Sequence, residues 1–588
     1  MNSKIIQNQL RNSFATNAGK VAIEQGDQKV LYAELLQKAN SITALLVKQQ
    51  LPKGTFIGIS LVNRTDIIAA IIGVMNAGHV FVPIDGTQPQ TRLDAIVNDI
   101  CLEYLISTIA VQPANKFGAV ANVYLFDDIA ANAAQSNIEI DFDGDDSIYV
   151  YFTSGTTGKP KGIIGKNSSL QHFINWEINE FDITNQDRFS QFISPYFDAF
   201  LRDIFVPLLA GGTICIPPAS ESFFSPENVG KWIEDSNITM IHCVPSVFRS
   251  INTTDVNTNS FSNLRYVLLS GERIIPEELT HWFNILNNRI QLVNLYGASE
   301  TTMIRSFHRI QAEDIKQKRI PVGRPIADSE LLILRDDLKP CGALITGEIY
   351  IVSDYLTKGY LNDPELNNKK FVKLTLPRGE VIAFKTGDKA RMLASGVIDL
   401  IGREDRQIKL RGIRIELDEV EALLRQSNLL KDVIVIAATE ENQDQSLVAF
   451  VIKNEAGLQG DQLLSALEEY NQKHVPFYMA PSRVVVLDAF PLLSNGKINY
   501  KQLADYKAEE VLVLPQNDIE NRLLIIWKEL LGDKVISTDA AFNTQGGSSL
   551  TIMRLIAKIY KEFDVRIALT DLFKNMTIQK TGCACCCG

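Results

Sequence analysis

The sequence predicts an α/β fold followed by a helical unit: a large N-terminal domain of several sheets, a small α/β C-terminal subdomain, then a small helical bundle. Three observations carry this. From about residue 20 to 400, short β-rich runs alternate with helical periods, the pattern of parallel sheets covered by helices. From Asp405 the alternation resumes in a compact second piece. From Asn517 the strand signal disappears and apolar stripes of helical period replace it. The expected boundaries are 1–404, 405–504, a linker over 505–516 that contains Pro515, a helical unit over 517–582, and a tail over 583–588.

The elements follow in chain order. Leu31, Leu35, Ala39, Ile42 and Leu46 recur every three or four positions and predict a helix from Leu31 to Val47. Phe56 to Val62, Ser147 to Phe152, Met240 to Val244, Arg265 to Leu269 and Gln291 to Leu295 read as buried strands. Several of them end in polar, Gly-rich loops, where open α/β sheets bind ligands. In the second piece, Gln407 to Leu410, Val433 to Ala437 and Ser446 to Ile452 read as strands and Leu417 to Arg425 as a helix. In the third, Ile519, Leu523, Ile526, Trp527 and Leu530 form one stripe. Leu550, Met553, Ile556 and Tyr560 form another, and Leu569 to Phe573 a short third helix.

With 588 residues the chain exceeds one ordinary core, and 46% hydrophobic with 22% charged residues is the composition of soluble globular domains. Lys plus Arg number 58 against 69 Asp plus Glu, a net charge of −11. That balance excludes bulk binding to nucleic acid or anionic lipid, which need a basic excess, but leaves room for a small anion site. No signal segment opens the chain, and the apolar run Ile67 to Ile84 is broken by Asn76, His79 and Pro83. No membrane partner and a cytoplasmic address are expected. Cys101, Cys215, Cys243 and Cys341 stand singly in apolar contexts, as reduced, buried thiols do. Cys583, Cys585, Cys586 and Cys587 crowd the last six residues. A metal site there fits no common zinc spacing and has no His nearby, so the segment is read as an artefactual tail.

The strongest local signal runs from Tyr151 to Gly162, Tyr-Phe-Thr-Ser-Gly-Thr-Thr-Gly-Lys-Pro-Lys-Gly. A strand delivers four hydroxyls, three glycines and two lysines. Glycines let backbone N–H groups approach an anion, hydroxyls add donors and lysines add charge: a phosphate cradle. It is not a P-loop, because Thr153 stands where that motif's first glycine belongs and Pro160 follows Lys159.

This loop resembles the signature of the adenylate-forming superfamily: acyl- and aryl-CoA ligases, luciferases and the adenylation domains of nonribosomal peptide synthetases. Further motifs resemble the same family in order. They are Asn294 to Thr302 (adenine and magnesium), Phe384 to Asp388 (ribose), Ile401 to Lys409 (hinge) and Asn495-Gly496-Lys497 (catalytic lysine). The resemblance implies an amino-acid-adenylating ligase using ATP and Mg²⁺. ATP contacts are implied for Thr153, Ser154, Gly155, Thr156, Thr157, Gly158, Lys159, Gly271, Glu272, Asn294, Tyr296, Gly297, Ser299, Asp388 and Arg403. Glu300 is implied as the magnesium ligand, Asp405 as the hinge and Lys497 as the catalytic residue. The chemistry is coherent: Tyr296 offers a flat face to adenine, Glu300 a hard oxygen, and Asp388 acceptors for two ribose hydroxyls. Lys497 would neutralise the charge that crowds when a carboxylate attacks the α-phosphate. Arg411 to Glu416 resembles the loop that enters the site in the family's second pose.

The substrate follows by the same comparison. Asp198 matches the carboxylate that pairs with an amino acid's α-ammonium; the plain alternative is a helix cap. The implied pocket adds Ala199, Arg202, His242, Leu268, Ser270, Leu295, Met303 and Ile304. His242, Leu268, Ser270 and Leu295 are similar to serine-selecting pockets, so serine or another small polar amino acid is expected. Arg202 stands where Trp is usual: pointing inward it would suit an acidic side chain, and against Asp203 it would leave a small polar site. Phe542 to Leu550 resembles the attachment segment of peptidyl carrier proteins, which implies a four-helix-bundle carrier domain with Ser549 anchoring a 4′-phosphopantetheine arm at a helix N-terminus. Gln545 departs from the usual apolar residue, and the lysine loop lacks the usual Thr and Asp-Arg. A phosphopantetheinyl transferase and downstream synthetase domains are the implied partners, and the start at Met1 suits an initiating or loading module. The rival readings are an acyl- or aryl-CoA ligase using free CoA and a non-catalytic carrier-docking scaffold.

Overall fold

The computed structural model describes residues 5–131, 140–155, 159–218, 223, 226–253, 256–286, 288–410, 412–439, 445–454, 458, 460–493, 497–506, 515–532, 536–538, 542, 545, 549–563, 565, 577–579 and 581. The chain forms two compact units. The first comprises Met1–Gly155, Lys159–Pro218 and Gly230–Gln407, and the second Ile408–Gly588 with Thr156–Gly158 and Ala219–Val229.

Three sheets build the first unit. The six-stranded sheet runs Asn122–Leu125, Tyr104–Ser107, Phe56–Ser60, Val80–Pro83, Ser147–Thr153, Lys161–Lys166. All its pairings are parallel except the last, where Thr153 faces Lys161 across an antiparallel turn. The nine-stranded sheet runs Arg324–Pro325, Ser306–Arg309, Gln291–Tyr296, Tyr266–Leu269, Met240–Cys243, Arg188–Ser190, Thr213–Cys215, Val21–Gln25, Gln28–Leu31. Its six central strands are parallel and its edge strands antiparallel. The third sheet departs from the expectation of parallel sheets alone. Glu330–Leu334, Gly347–Val352, Phe371–Leu376, Gly379–Met392 and Ile398–Arg403 pair only antiparallel. Two neighbouring pairs have links too short for the helix a parallel crossover needs: residues 377–378 between Phe371–Leu376 and Gly379–Met392, and residues 393–397 before Ile398–Arg403.

Helices cover the sheets as the apolar periods require. Tyr32–Lys48 buries Tyr32, Leu35, Ala39, Ile42 and Leu46. Arg64–Asn76 is buried all round from Ile67 to Met75, so the longest apolar run is a core helix. Asn63 caps it, its side chain accepting from the N–H groups of Thr65 and Asp66. Among the described residues no helix is long and apolar enough to cross a membrane. Cys215 and Cys243 are buried, but Cys101 is exposed and Cys341 only half-buried. Cys101 lies in a left-handed turn after the helix Gln90–Asp99, which carries it outward despite its apolar neighbours.

In the second unit, Leu430–Thr439, Gln445–Lys453 and Arg483–Val486 form a three-stranded sheet, and Gln407–Leu410 pairs with Ile413–Glu416. The helix Leu417–Arg425 packs Val420 and Leu424 into a core with Val433, Val435, Leu447 and Ala449. Further on, Asp518–Leu531 and Ser549–Phe563 are helical, with Leu523, Trp527, Phe542, Leu555 and Ile559 in one cluster. The short helix expected over Leu569 to Phe573, the tail 583–588 and most of the linker lie outside the described residues.

Candidate active site

Four neighbouring parallel strands of the nine-stranded sheet end on the same side, where loops from adjacent strands converge. Arg188–Ser190 leads to Asp198, Met240–Cys243 carries His242, Tyr266–Leu269 leads to Ser270, and Gln291–Tyr296 carries Leu295. His242 is in register with Leu268, and Leu268 with Val293. Because strand side chains alternate, His242, Leu268, Ser270 and Leu295 share one face.

Against that face lies the helix Ala199–Ala210. Asp198 is its N-cap and accepts from the Ala199 N–H at 2.9 Å. Burial and then the Asp198 charge push the Tyr151 phenol well above its ordinary range. Arg202 is buried and turns to carboxylates of the protein: both Glu177 oxygens at 2.6 Å and Asp203 Oδ1 at 3.3 Å. It is thus the alternative in which Arg202 lies against Asp203 that the structure records. Asp203 Oδ1 also lies 2.9 Å from His242 Nδ1, and His242 Nε2 lies 2.8 Å from Ser270 Oγ. Burial and then Arg202 pull His242 below the usual histidine range. Sequence reasoning missed Glu177, because a pair twenty-five positions apart leaves no local pattern.

Gly297, Met303 and Ile304 belong to one reversed loop. A Cβ at Gly297 would stand 1.9 Å from the Met303 carbonyl oxygen, so only glycine fits. Thr302 and Met303 both take left-handed backbone, at φ 62° and 66°. Such residues cost about 1–2 kcal/mol each and persist where surrounding contacts hold them. Arg305 supplies the hold: fully buried, it donates from Nε to the Thr301 carbonyl at 2.5 Å and from Nη2 to the Tyr355 carbonyl, and its own N–H reaches the Tyr296 carbonyl at 2.8 Å. Ser299 opens a short 3₁₀ turn that contains Glu300. Glu300 is buried; Tyr360 donates to its Oε1, and Thr357 Oγ1 donates to its carbonyl oxygen at 2.6 Å. The described residues hold no cluster of three or more His, Cys, Asp or Glu that could cage a metal. Mg²⁺ needs no such cage: one carboxylate such as Glu300 plus phosphate oxygens and water satisfies it.

Residues expected to meet the nucleotide join two sheets of the first unit. Tyr296 donates to Asp388 Oδ2 at 2.6 Å, and Arg403 Nη1 donates to Asp388 Oδ1 at 2.6 Å. Arg403 also donates to Asp405 at 2.7 and 2.8 Å and to the Thr386 carbonyl at 3.0 Å. Burial would raise Asp405, but Arg403 outweighs it and holds the carboxyl below the ordinary range. Burial, then Asp388, keeps the Tyr296 phenol protonated as a donor. Asn294 is committed to the Pro321 carbonyl at 2.8 Å. Glu272, which follows Gly271, accepts from the N–H and hydroxyl of Ser246 at the start of the helix Pro245–Ile251. In the Gly-rich loop, Ser154 is buried, Lys159 is exposed, and a Cβ at Gly155 would stand 2.1 Å from the Lys159 carbonyl oxygen. Thr156, Thr157 and Gly158 lie outside the described residues.

In the second unit, Lys497 is exposed, its carbonyl accepting from Leu493 N–H at 2.7 Å; Asn495 and Gly496 are outside the described residues. Ser549 opens the helix Ser549–Phe563.

This fold and loop set define an enzyme class that the comparisons identify. Residues 10–361 match the AMP-binding enzyme family and 419–497 its C-terminal domain, and the chain belongs to that family. Residues 521–582 match the phosphopantetheine attachment site, so the chain is an adenylation domain fused to a carrier domain. Gramicidin S synthase 2 of Aneurinibacillus migulanus is 32% identical over 569 residues, covering 95% of this chain and 12% of that synthase. Bacitracin synthase 1 of Bacillus licheniformis is 31% identical over 559 residues, covering 94% of this chain and 10% of the synthase. The chain therefore spans about a tenth of the length of these relatives. Among solved structures, holo-PA1221, a protein of adenylation and PCP domains bound to a vinylsulfonamide inhibitor, superposes with a TM-score of 0.80 at 23% identity. The match covers 98% of this chain and 96% of that one. The Vibrio cholerae adenylation domain AlmE, in complex with glycyl-adenosine-5′-phosphate, matches with a TM-score of 0.74 at 20% identity, over 86% of this chain and 99% of AlmE.

Proposed function

We propose that this chain activates an α-amino acid with ATP as aminoacyl-AMP, releasing pyrophosphate, and then loads the acyl group on its own carrier domain. The observation that carries the reading is the order of the matches, AMP-binding, its C-terminal domain, then the attachment site, on one chain. Relatives named as synthases of gramicidin S and bacitracin support a place in nonribosomal peptide synthesis.

In this reading Asp388 accepts the ribose hydroxyls and Arg403 steadies it, while Tyr296 and Asn294 flank the base. Thr153 to Lys159 meet the phosphates, with Glu300 contributing an oxygen to Mg²⁺, which screens them. Asp198 holds the substrate's α-ammonium, and Ala199, His242, Leu268, Ser270, Leu295, Met303 and Ile304 surround its side chain. Serine or a similar small polar acid fits that lining. Lys497 neutralises charge as carboxylate oxygen meets phosphorus, and Asp405 serves as the hinge of the mobile subdomain. A phosphopantetheine arm, attached at Ser549 by a phosphopantetheinyl transferase, supplies the thiol that accepts the acyl group. Downstream synthetase domains would take the thioester.

ATP–pyrophosphate exchange tests this. Exchange should depend on amino acids and ignore fatty and aryl acids; the reverse preference would establish the CoA-ligase reading, and no exchange with any acid the scaffold reading. Lys497→Ala should reduce exchange by about 100-fold or more. Ser549→Ala should block the mass gain of the arm while exchange persists.

A further inference from the structure

Behind Ser270 runs a chain of polar groups that reaches the pocket at one end only. Glu177, Arg202, Asp203 and His242 are 0–3% exposed, whereas Ser270 is half-buried. Arg202 places Nε and Nη2 on Glu177 and Nη1 on Asp203, so its fork is committed to protein carboxylates. A second guanidinium, Arg64, acts electrostatically on Asp203 while donating to the Gln191 carbonyl at 2.6 Å. Two carboxylates thus face two guanidinium groups. Within the cluster the carboxylates of Glu177 and Asp203 are therefore answered by guanidinium groups.

Proton positions follow from the acceptors. A carboxylate paired with Arg202 only accepts, so the 2.9 Å contact with Asp203 requires the proton of His242 on Nδ1. Burial keeps the ring neutral, which leaves a lone pair on Nε2. At 2.8 Å from that lone pair, the Ser270 hydroxyl must donate its single proton to it. The Ser270 oxygen then has lone pairs alone to offer.

We infer that Asp203 is a positioning residue for substrate choice: through His242 it turns the Ser270 hydroxyl so that the pocket presents only acceptors and takes an α-amino acid with a neutral side-chain hydroxyl. This rests on the proposed function, in which Ser270 lines the amino-acid pocket. A carboxylate side chain meets acceptors, while the guanidinium groups of Arg202 and Arg64 are already engaged by Glu177, Asp203 and Gln191. An alkyl side chain leaves the Ser270 lone pairs unpaired, which a buried polar site penalises.

The test is the ratio of kcat/KM in pyrophosphate exchange for serine over alanine and for threonine over 2-aminobutyrate, a quantity indifferent to the fraction of protein folded. In the wild type at least one of the two ratios should exceed about 100. In Asp203→Asn the negative charge that fixes the imidazole proton on Nδ1 is gone, so the proton is free to sit on Nε2 and the Ser270 hydroxyl is free to donate. The larger ratio should then fall at least about tenfold. Ser270→Ala should lower it similarly, and decides the matter if Asp203→Asn does not fold. Wild-type exchange that favours alanine, 2-aminobutyrate or an acidic amino acid overturns this inference alone, as does a ratio unmoved by these substitutions. Exchange with no amino acid at all overturns the proposed function and this inference with it.

Discussion

Replacing Arg202 by Met strips the guanidinium from a carboxylate that has no access to water. Glu177 is 0% exposed, and burial already raises its pKa against the opposing pull of Arg202. Without Arg202 the carboxyl can escape an unpaired buried charge by binding a proton. Starting from the ordinary value of 4.5, that costs up to about 3.4 kcal/mol at pH 7, at about 1.4 kcal/mol per pH unit, less the part that burial already exacts with Arg202 in place. The figure agrees with the roughly 3–5 kcal/mol lost when one partner of a buried pair is removed. Unfolding entropy of about 2.1 cal/mol/K per residue, over roughly 400 residues, converts it to a drop of up to about 4 °C in the melting midpoint. A carboxyl with a raised folded-state pKa stabilises below its unfolded value and loses that contribution as pH rises. The deficit of Arg202→Met should therefore grow from at most about 2 °C at pH 5.5 to at most about 4 °C at pH 7. Arg202→Met combined with Glu177→Gln should recover most of it and lose the pH slope. Scanning calorimetry at the two pH values decides. A deficit that is flat with pH, or below about 1 °C at pH 7, would refute the account of Glu177 as a charge held by one partner.

Gly297→Ala forces a Cβ to within 1.9 Å of a backbone oxygen, so the Gly297–Ile304 loop has to shift. Overpacking of this kind costs about 1–3 kcal/mol, and exchange activity should fall more than the melting midpoint does, read on the same preparation. His79 is buried and burial pushes its pKa down, so the unfolded chain takes up a proton first as pH drops below 6.5. The folded state should lose up to about 1.4 kcal/mol from this residue by pH 5.5, and His79→Gln should flatten the fall of the melting midpoint between pH 7.5 and 5.5; parallel profiles would contradict it.

Much of the architecture was legible because the signals were local. The stripe Leu35, Ala39, Ile42, Leu46 defines a helix whichever surface covers it, and Leu417–Arg425 forms with the bounds its periodicity predicts. The antiparallel sheet from Glu330 to Arg403 was not legible. Strand direction depends on connection length and long-range pairing, to which alternation is blind. Glycines and hydroxyls between Thr153 and Gly162 mark an anion loop by composition alone. Glu177 gives no such sign, because its meaning lies in Arg202 on another helix. Tyr360 is similar: only the folded chain brings its hydroxyl to Glu300, sixty positions away.

Asp388 has a bearing on what ligand entry does to the protein itself. Its two oxygens already have claimants, Tyr296 from the nine-stranded sheet and Arg403 from the antiparallel one. In the proposed complex the ribose diol competes at Asp388 with residents instead of meeting bare acceptors, so it trades bonds more than it adds them. If Tyr296 yields, a tie between the two sheets slackens; Arg403 lies opposite Asp388 on the neighbouring strand, so its bond is internal to one sheet. If Arg403 yields, its remaining hold is on Thr386 and on Asp405, near the end of the first unit. In the proposed complex the diol thus changes which side chains hold the stretch near Asp405.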